Sequence, residues 1–138
     1  MSEALASQMP KVETKGGIVA YLSLDGAVAA AEFYTRAFGA VVVAQYPPDA
    51  QGRTMHIHLH LNDASLMLSD VFPELGFDKQ PPAAFSLMLT VKDIAAWWQR
   101  AIAAGCTART PPQKMFWGDT FGEAVDPFGL TWSLNQPA

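Results

Sequence analysis

Ala30-Ala31-Glu32-Phe33-Tyr34-Thr35-Arg36-Ala37-Phe38 is repeated in kind, 64 residues further along the chain, by Ile94-Ala95-Ala96-Trp97-Trp98-Gln99-Arg100-Ala101-Ile102. In both stretches an aromatic pair is followed by a polar residue, an arginine, an alanine and a large apolar residue. Each follows an apolar run and an aspartate, Asp25 or Asp93, and each is closed by a glycine, Gly39 or Gly105. Apolar residues at Ala30, Phe33, Tyr34, Ala37 and Phe38 share one face of a helix, with the aspartate as N-cap and the glycine as the left-handed residue that stops it. A repeat of this length in a 138-residue chain means two copies of one supersecondary unit.

Working outward from the first helix, Ile18 to Leu24 reads as a strand, Ala40 to Tyr46 as a second, Thr54 to Leu61 as a third and Ala64 to Ser69 as a fourth. Pro47-Pro48 and the turn Asp49-Ala50-Gln51-Gly52 separate the second and third. A proline-rich linker, Val71 to Pro82, follows. The order then recurs: strand Phe85 to Val91, helix Ile94 to Ala104, a short strand at Cys106 to Thr110 and a loop through Pro111-Pro112 and Trp117-Gly118-Asp119. Strands Phe121 to Val125 and Leu130 to Leu134 are joined by Asp126-Pro127-Phe128-Gly129, which is turn chemistry. The expectation is an α+β chain of two βαβββ modules, residues 18–70 and 83–135, forming one domain at 18–135. A curved mixed sheet would carry the helices on its outer face, and residues 1–17 are read as a flexible N-terminal segment.

Composition excludes several classes of function. Nine basic against 13 acidic residues give a net charge of −4, and without a Lys/Arg cluster the footprint of a nucleic-acid binder is missing. No stretch approaches the roughly 18 apolar residues of a membrane span, and the N-terminus lacks the pattern of a signal peptide. Cys106 is the single cysteine, so no intrachain disulfide forms, and no basic or histidine neighbour in sequence activates the thiol. These features make a cytoplasmic protein the expectation.

The two βαβββ units, Ala31-Glu32-Phe33-Tyr34 with Ala37-Phe38-Gly39, and Asp126-Pro127-Phe128-Gly129 before Thr131-Trp132-Ser133 together resemble the vicinal oxygen chelate superfamily of glyoxalases, bleomycin-resistance proteins and extradiol dioxygenases. Phe116-Trp117-Gly118-Asp119 and His56 after Arg53-Thr54-Met55 are similar to its PhnB-like branch, although Thr120 stands where that branch often has an arginine. The resemblance implies a homodimer and a small organic molecule as partner. It also implies metal ligands on the first and last strands of each unit, at about Val19, Met67, Ser86 and Ser133. Valine has no donor atom, thioether sulfur is soft, and neutral hydroxyls bind divalent ions poorly. No metal is therefore expected at those positions, and no cofactor.

His56-Ile57-His58-Leu59-His60 places all three histidines on one face of a strand, about 7 Å apart, with Met55, Ile57, Leu59 and Leu61 on the other. Two imidazolium charges at that spacing repel by about 2 kcal/mol at an effective dielectric of 20, so at least two of the rings should be neutral. His56, His58 and His60 are the candidates for a general base, with Tyr21 as a polarising group. A weaker metal alternative joins His56 and His58 to Glu123. The expected ligand-binding cavity is lined by Tyr21, His56, His58, His60, Met67, Ser86, Trp117, Phe121, Glu123 and Ser133. Trp97 and Trp98 lie at core spacing, and Asp119 and Asp126 read as loop-ordering residues. Three functions fit: binding or transforming a small organic molecule, noncatalytic sequestration of a drug or antibiotic, and a metal-dependent lyase or dioxygenase built on a non-standard histidine site.

Overall fold

A computed structural model describes residues 11–138, so the first ten residues of the expected flexible N-terminal segment lie outside the described residues. Its elements are β1 (Ala20–Leu24), α1 (Ala27–Phe38), β2 (Val41–Gln45), β3 (Ile57–Leu61), β4 (Ala64–Asp70), a 3-10 turn at Pro73–Leu75, β5 (Leu87–Thr90), α2 (Ile94–Ala104), β6 (Thr107–Lys114), β7 (Thr120–Val125) and β8 (Thr131–Gln136). Two mixed four-stranded sheets result, in the orders β1-β4-β3-β2 and β5-β8-β7-β6. In each the first and last strands pair in parallel and the others antiparallel. This is the expected pair of βαβββ modules. No helix among the described residues is long and apolar enough to cross a membrane.

The chain divides into two compact units. One runs to Thr35 and resumes over Ala40–Gln80, and the other comprises Arg36–Gly39 and Pro81–Ala138. In the first, alternation sends Leu22, Leu24, Ile57, Leu59, Leu66 and Leu68 inward, and with Ala30, Phe33 and Tyr34 they are buried. Met55 departs from the expected alternation and is 43% exposed, because β3 begins only at Ile57 and the pleat has not started at residue 55. The start of α1 is also built differently from the local reading. Asp70, at the end of β4, accepts the Gly26 and Ala27 amides at 3.0 Å each, the task that its position gave to Asp25. It accepts the Thr54 amide at 2.8 Å as well and is itself buried.

In the second unit Leu89, Ile94, Ala101, Ala124, Trp132 and Leu134 form the interior. The last turn of α1 belongs here: the Phe38 ring lies 4.6 Å from that of Trp132, and Arg100 Nε donates to the Arg36 carbonyl at 2.7 Å. Gly39 follows at φ +72° and would press a Cβ to 3.2 Å from Arg100 Nη1, so it serves both as helix stop and as clearance. Asp93 caps α2 as expected, accepting from the Ala96 amide at 3.2 Å. Strand β6 is longer than its prolines suggest and runs through Pro111-Pro112. It lies at the sheet edge and takes register shifts between Ala108 and Thr110 and between Thr110 and Gln113, so the missing N–H groups cost no ladder bond. Gly122 is buried opposite, where a Cβ would stand 3.0 Å from the Pro112 nitrogen.

Replacing Asp70 by Ala strands three amide donors, two of them at a helix start, and should cost about 2–4 kcal/mol. Urea unfolding of the variant measures this, and a loss below about 1 kcal/mol would show that water or another group satisfies those amides.

Candidate functional site

The polar face of the first sheet is the one its core does not use. Tyr21 and His58 stand opposite Met67 in register, and Tyr21 remains 51% exposed. The three histidines, legible as a set in sequence, have three different environments. His58 is buried, with Nε2 2.7 Å from the Ser65 hydroxyl. That hydroxyl accepts the Lys15 amide at 2.8 Å, which leaves its own proton for His58. His60 donates through Nε2 to the Glu13 carbonyl at 2.8 Å, and its ring meets that of His58 edge-on with centroids 5.2 Å apart. These two histidines hold the chain at Glu13–Lys15 against the sheet, aided by the Ser65 amide on the Lys15 carbonyl and the Lys15–Asp63 ion pair.

His56 is different. Its Nδ1 lies 2.9 Å from the Tyr21 hydroxyl, and its ring centroid is 5.7 Å from those of both Tyr21 and Tyr46. Neither its Nε2 nor the Tyr46 hydroxyl is engaged by another described residue. Buried Thr54 sets this geometry. Its hydroxyl donates to the Tyr46 carbonyl at 2.8 Å, its amide is fixed by Asp70, and the Tyr46 amide closes onto the His56 carbonyl at 3.0 Å. Sequence reading missed Tyr46. The signal was the hairpin register, since Gln45 opposite Ile57 sets Tyr46 opposite His56.

Burial lowers the pKa of His56 and of His58, where the neighbouring His60 and His56 charges add to the effect. It raises that of Tyr21, against a weaker pull from the Ser69 hydroxyl. Both shifted imidazoles are therefore neutral at pH 7 and the phenol keeps its proton. Burial, with Asp126 adding, pushes the Cys106 thiol up to about 12, so it is no nucleophile at neutral pH.

The remaining expected cavity residues lie in the second unit. Ser133 is buried and pairs in register with Met88 and Glu123, and its hydroxyl is 2.7 Å from that of Ser86. Phe121 stands on the same side of β7 as Glu123. Trp117 is half-exposed at the β6–β7 turn, its ring 4.9 Å from that of Phe116. Asp119 orders this turn by accepting from Asn135 Nδ2 at 3.0 Å and the Ala138 amide at 3.1 Å. Asp126 takes the Phe128 and Leu130 amides and the Trp132 indole N–H, a structural role.

Residues 22–134 match the model of the Glyoxalase/Bleomycin resistance protein/Dioxygenase superfamily, and the chain belongs to that family. The uncharacterised protein Mb0911c of Mycobacterium bovis is 39% identical over 124 residues, 85% of this chain and 80% of that one. Protein PA1353 from Pseudomonas aeruginosa superposes with a TM-score of 0.71 at 27% identity, covering 87% of this chain and 96% of that one. TnmS3 from Streptomyces sp. CB03234, an antibiotic binding protein, superposes with a TM-score of 0.65 at 25% identity, over 95% and 100% of the two chains. The family's metal positions do not fit a divalent ion here. Val19 has no donor, Met67 offers a thioether, and the Ser86 and Ser133 hydroxyls bond each other. Among the described residues no three His, Cys, Asp or Glu side chains gather as a ligand set.

Neutral His58 makes stability depend on pH. Its folded pKa lies below the unfolded value of 6.5, so below pH 6.5 the unfolded chain takes up a proton that the folded one refuses. The melting temperature should therefore fall as pH drops from 7 to 5. The slope should flatten in His58→Asn, and an unchanged slope in that variant would remove the assignment.

Proposed function

We propose that this protein binds a small, flat organic molecule on the open face of its first sheet and does so without metal chemistry. The observation that carries the reading is the cluster of Tyr21, Tyr46 and His56. Three rings offer apolar contact area, while a ring nitrogen and a phenol have hydrogen-bonding capacity to spare. His58, His60 and Met67 support that face, and the donor set at the family's metal positions favours binding over metal-assisted catalysis. The fold it shares with an antibiotic-binding protein supports noncatalytic sequestration as the form this binding takes.

A thermal-shift screen of planar aromatic compounds should return ligands that raise the melting temperature. Removing one hydrogen bond, as in Tyr21→Phe, or the ring, as in His56→Ala, should weaken them about 10-fold or more. A hit unaffected by either substitution would place the site elsewhere.

We also propose that the protein is a homodimer. Val41 and Val42 in the first unit and Phe85 and Met88 in the second are large apolar side chains left more than two-fifths exposed, the kind of surface that a partner covers. Sedimentation at micromolar concentration should give twice the 14.9 kDa chain mass, and a monomer at every concentration would refute it.

A further inference from the structure

We propose that the ligand of the Tyr21–Tyr46–His56 cluster is an uncharged aromatic carbonyl compound, whose oxygen accepts a hydrogen bond from the Nε2–H of a neutral His56. This rests on the reading of that face as the binding site.

The Tyr21 hydroxyl has one proton, with His56 Nδ1 at 2.9 Å and the Met55 carbonyl at 3.3 Å as acceptors in reach, while the Ser69 hydroxyl donates to the phenol oxygen. The second distance lies beyond the usual O–H···O range and the first within hydrogen-bonding range, so Tyr21 donates to Nδ1. A neutral imidazole carries one N–H, and with Nδ1 accepting, the proton sits on Nε2. Burial keeps the phenol protonated and the imidazole uncharged, in keeping with that assignment. No described residue takes up the Nε2–H.

Two consequences follow for a ligand. First, its polar end must accept: an ammonium would set N–H against N–H and leave both donors unpaired. Secondly, it should be uncharged. A carboxylate would also accept, but the cluster holds no cation to repay its desolvation, and Arg53, the nearest arginine in sequence, is committed to Asp49 and Glu74. A carbonyl oxygen has two lone pairs, enough for His56 and for the Tyr46 hydroxyl, and a flat ring behind it suits the Tyr21, Tyr46 and His56 rings. The same tautomer leaves His56 without a vacant lone pair, which removes it as a general base in the resting protein.

Long-range proton–nitrogen NMR of uniformly labelled protein at pH 7.5 reads the tautomer without any ligand. His56 should show an unprotonated Nδ1 and a protonated Nε2, and the reverse pattern would overturn the inference. Titration with 1-indanone, indane and 2-aminoindane, followed by amide shifts, then tests the ligand class. The ketone should bind about 10-fold tighter than either analogue, a preference lost in His56→Phe, which keeps a ring and removes the donor. Equal binding of ketone and hydrocarbon would overturn the carbonyl inference while leaving the binding reading in place. Binding by none of the three would overturn both. Should His56→Phe fail to fold, the tautomer and the three-ligand comparison on wild type still decide the matter.

Discussion

The buried carboxylate of Asp70 is the constraint on which the first unit depends. It closes the N-terminus of α1 through the Gly26 and Ala27 amides and simultaneously takes the Thr54 amide, while its own amide donates to the Thr54 carbonyl at 2.9 Å. Three backbone donors converging on one buried side chain leave it little play. Thr54 passes the restraint on, since its hydroxyl fixes the Tyr46 carbonyl and Tyr46 in turn pairs with His56. One side chain thus couples the helix start to the two rings of the candidate site. The surface clasp of Arg53 on Asp49 and Glu74, with the guanidinium 4.5 Å above Phe72, steadies the same loop from outside.

The second unit repeats the backbone and not the chemistry. Where Asp70 holds the start of α1, Gln136 Oε1 accepts the Ile94 amide at 2.9 Å at the start of α2, and the buried carboxylate has moved to Asp126, where it fastens the β7–β8 turn and the Trp132 indole. The rows on the sheet faces diverge in parallel. Tyr21, Met67 and His58 of the first unit correspond to Met88, Ser133 and Glu123 of the second. A duplicated scaffold needs the same apolar pattern in both copies, whereas its open faces are free to differ.

That division also explains what the sequence made legible. Helix spacing, strand alternation and the turn residues around Asp126 are local signals, and α2 falls at Ile94–Ala104 as its pattern demands. The helix start at Asp70 was illegible because its carboxylate arrives from a strand more than 40 residues away. The path of β6 through Pro111-Pro112 was hidden because a proline's missing donor matters only once the strand is known not to lie mid-sheet. For the site, period two put His56, His58 and His60 on one face, but periodicity carries no information on which ring nitrogens are already taken. Tyr46 was invisible for a related reason: its partnership with His56 exists only after β2 and β3 are placed in register.

The histidines of that face differ in which hydrogen bonds they already make. His58 and His60 spend their Nε2 atoms on Ser65 and Glu13 and so work as clamps for the Glu13–Lys15 stretch, which answers the requirement that buried backbone and imidazole groups be paired. Three histidines in a row would otherwise suggest a metal or an acid–base relay, yet a ligand set needs several lone pairs converging on one point, and two of these rings are already engaged. What remains is one imidazole edge at His56, oriented by a phenol and flanked by a second. On the proposed reading, a single directional donor set among aromatic rings would select a molecule by shape and by one acceptor atom.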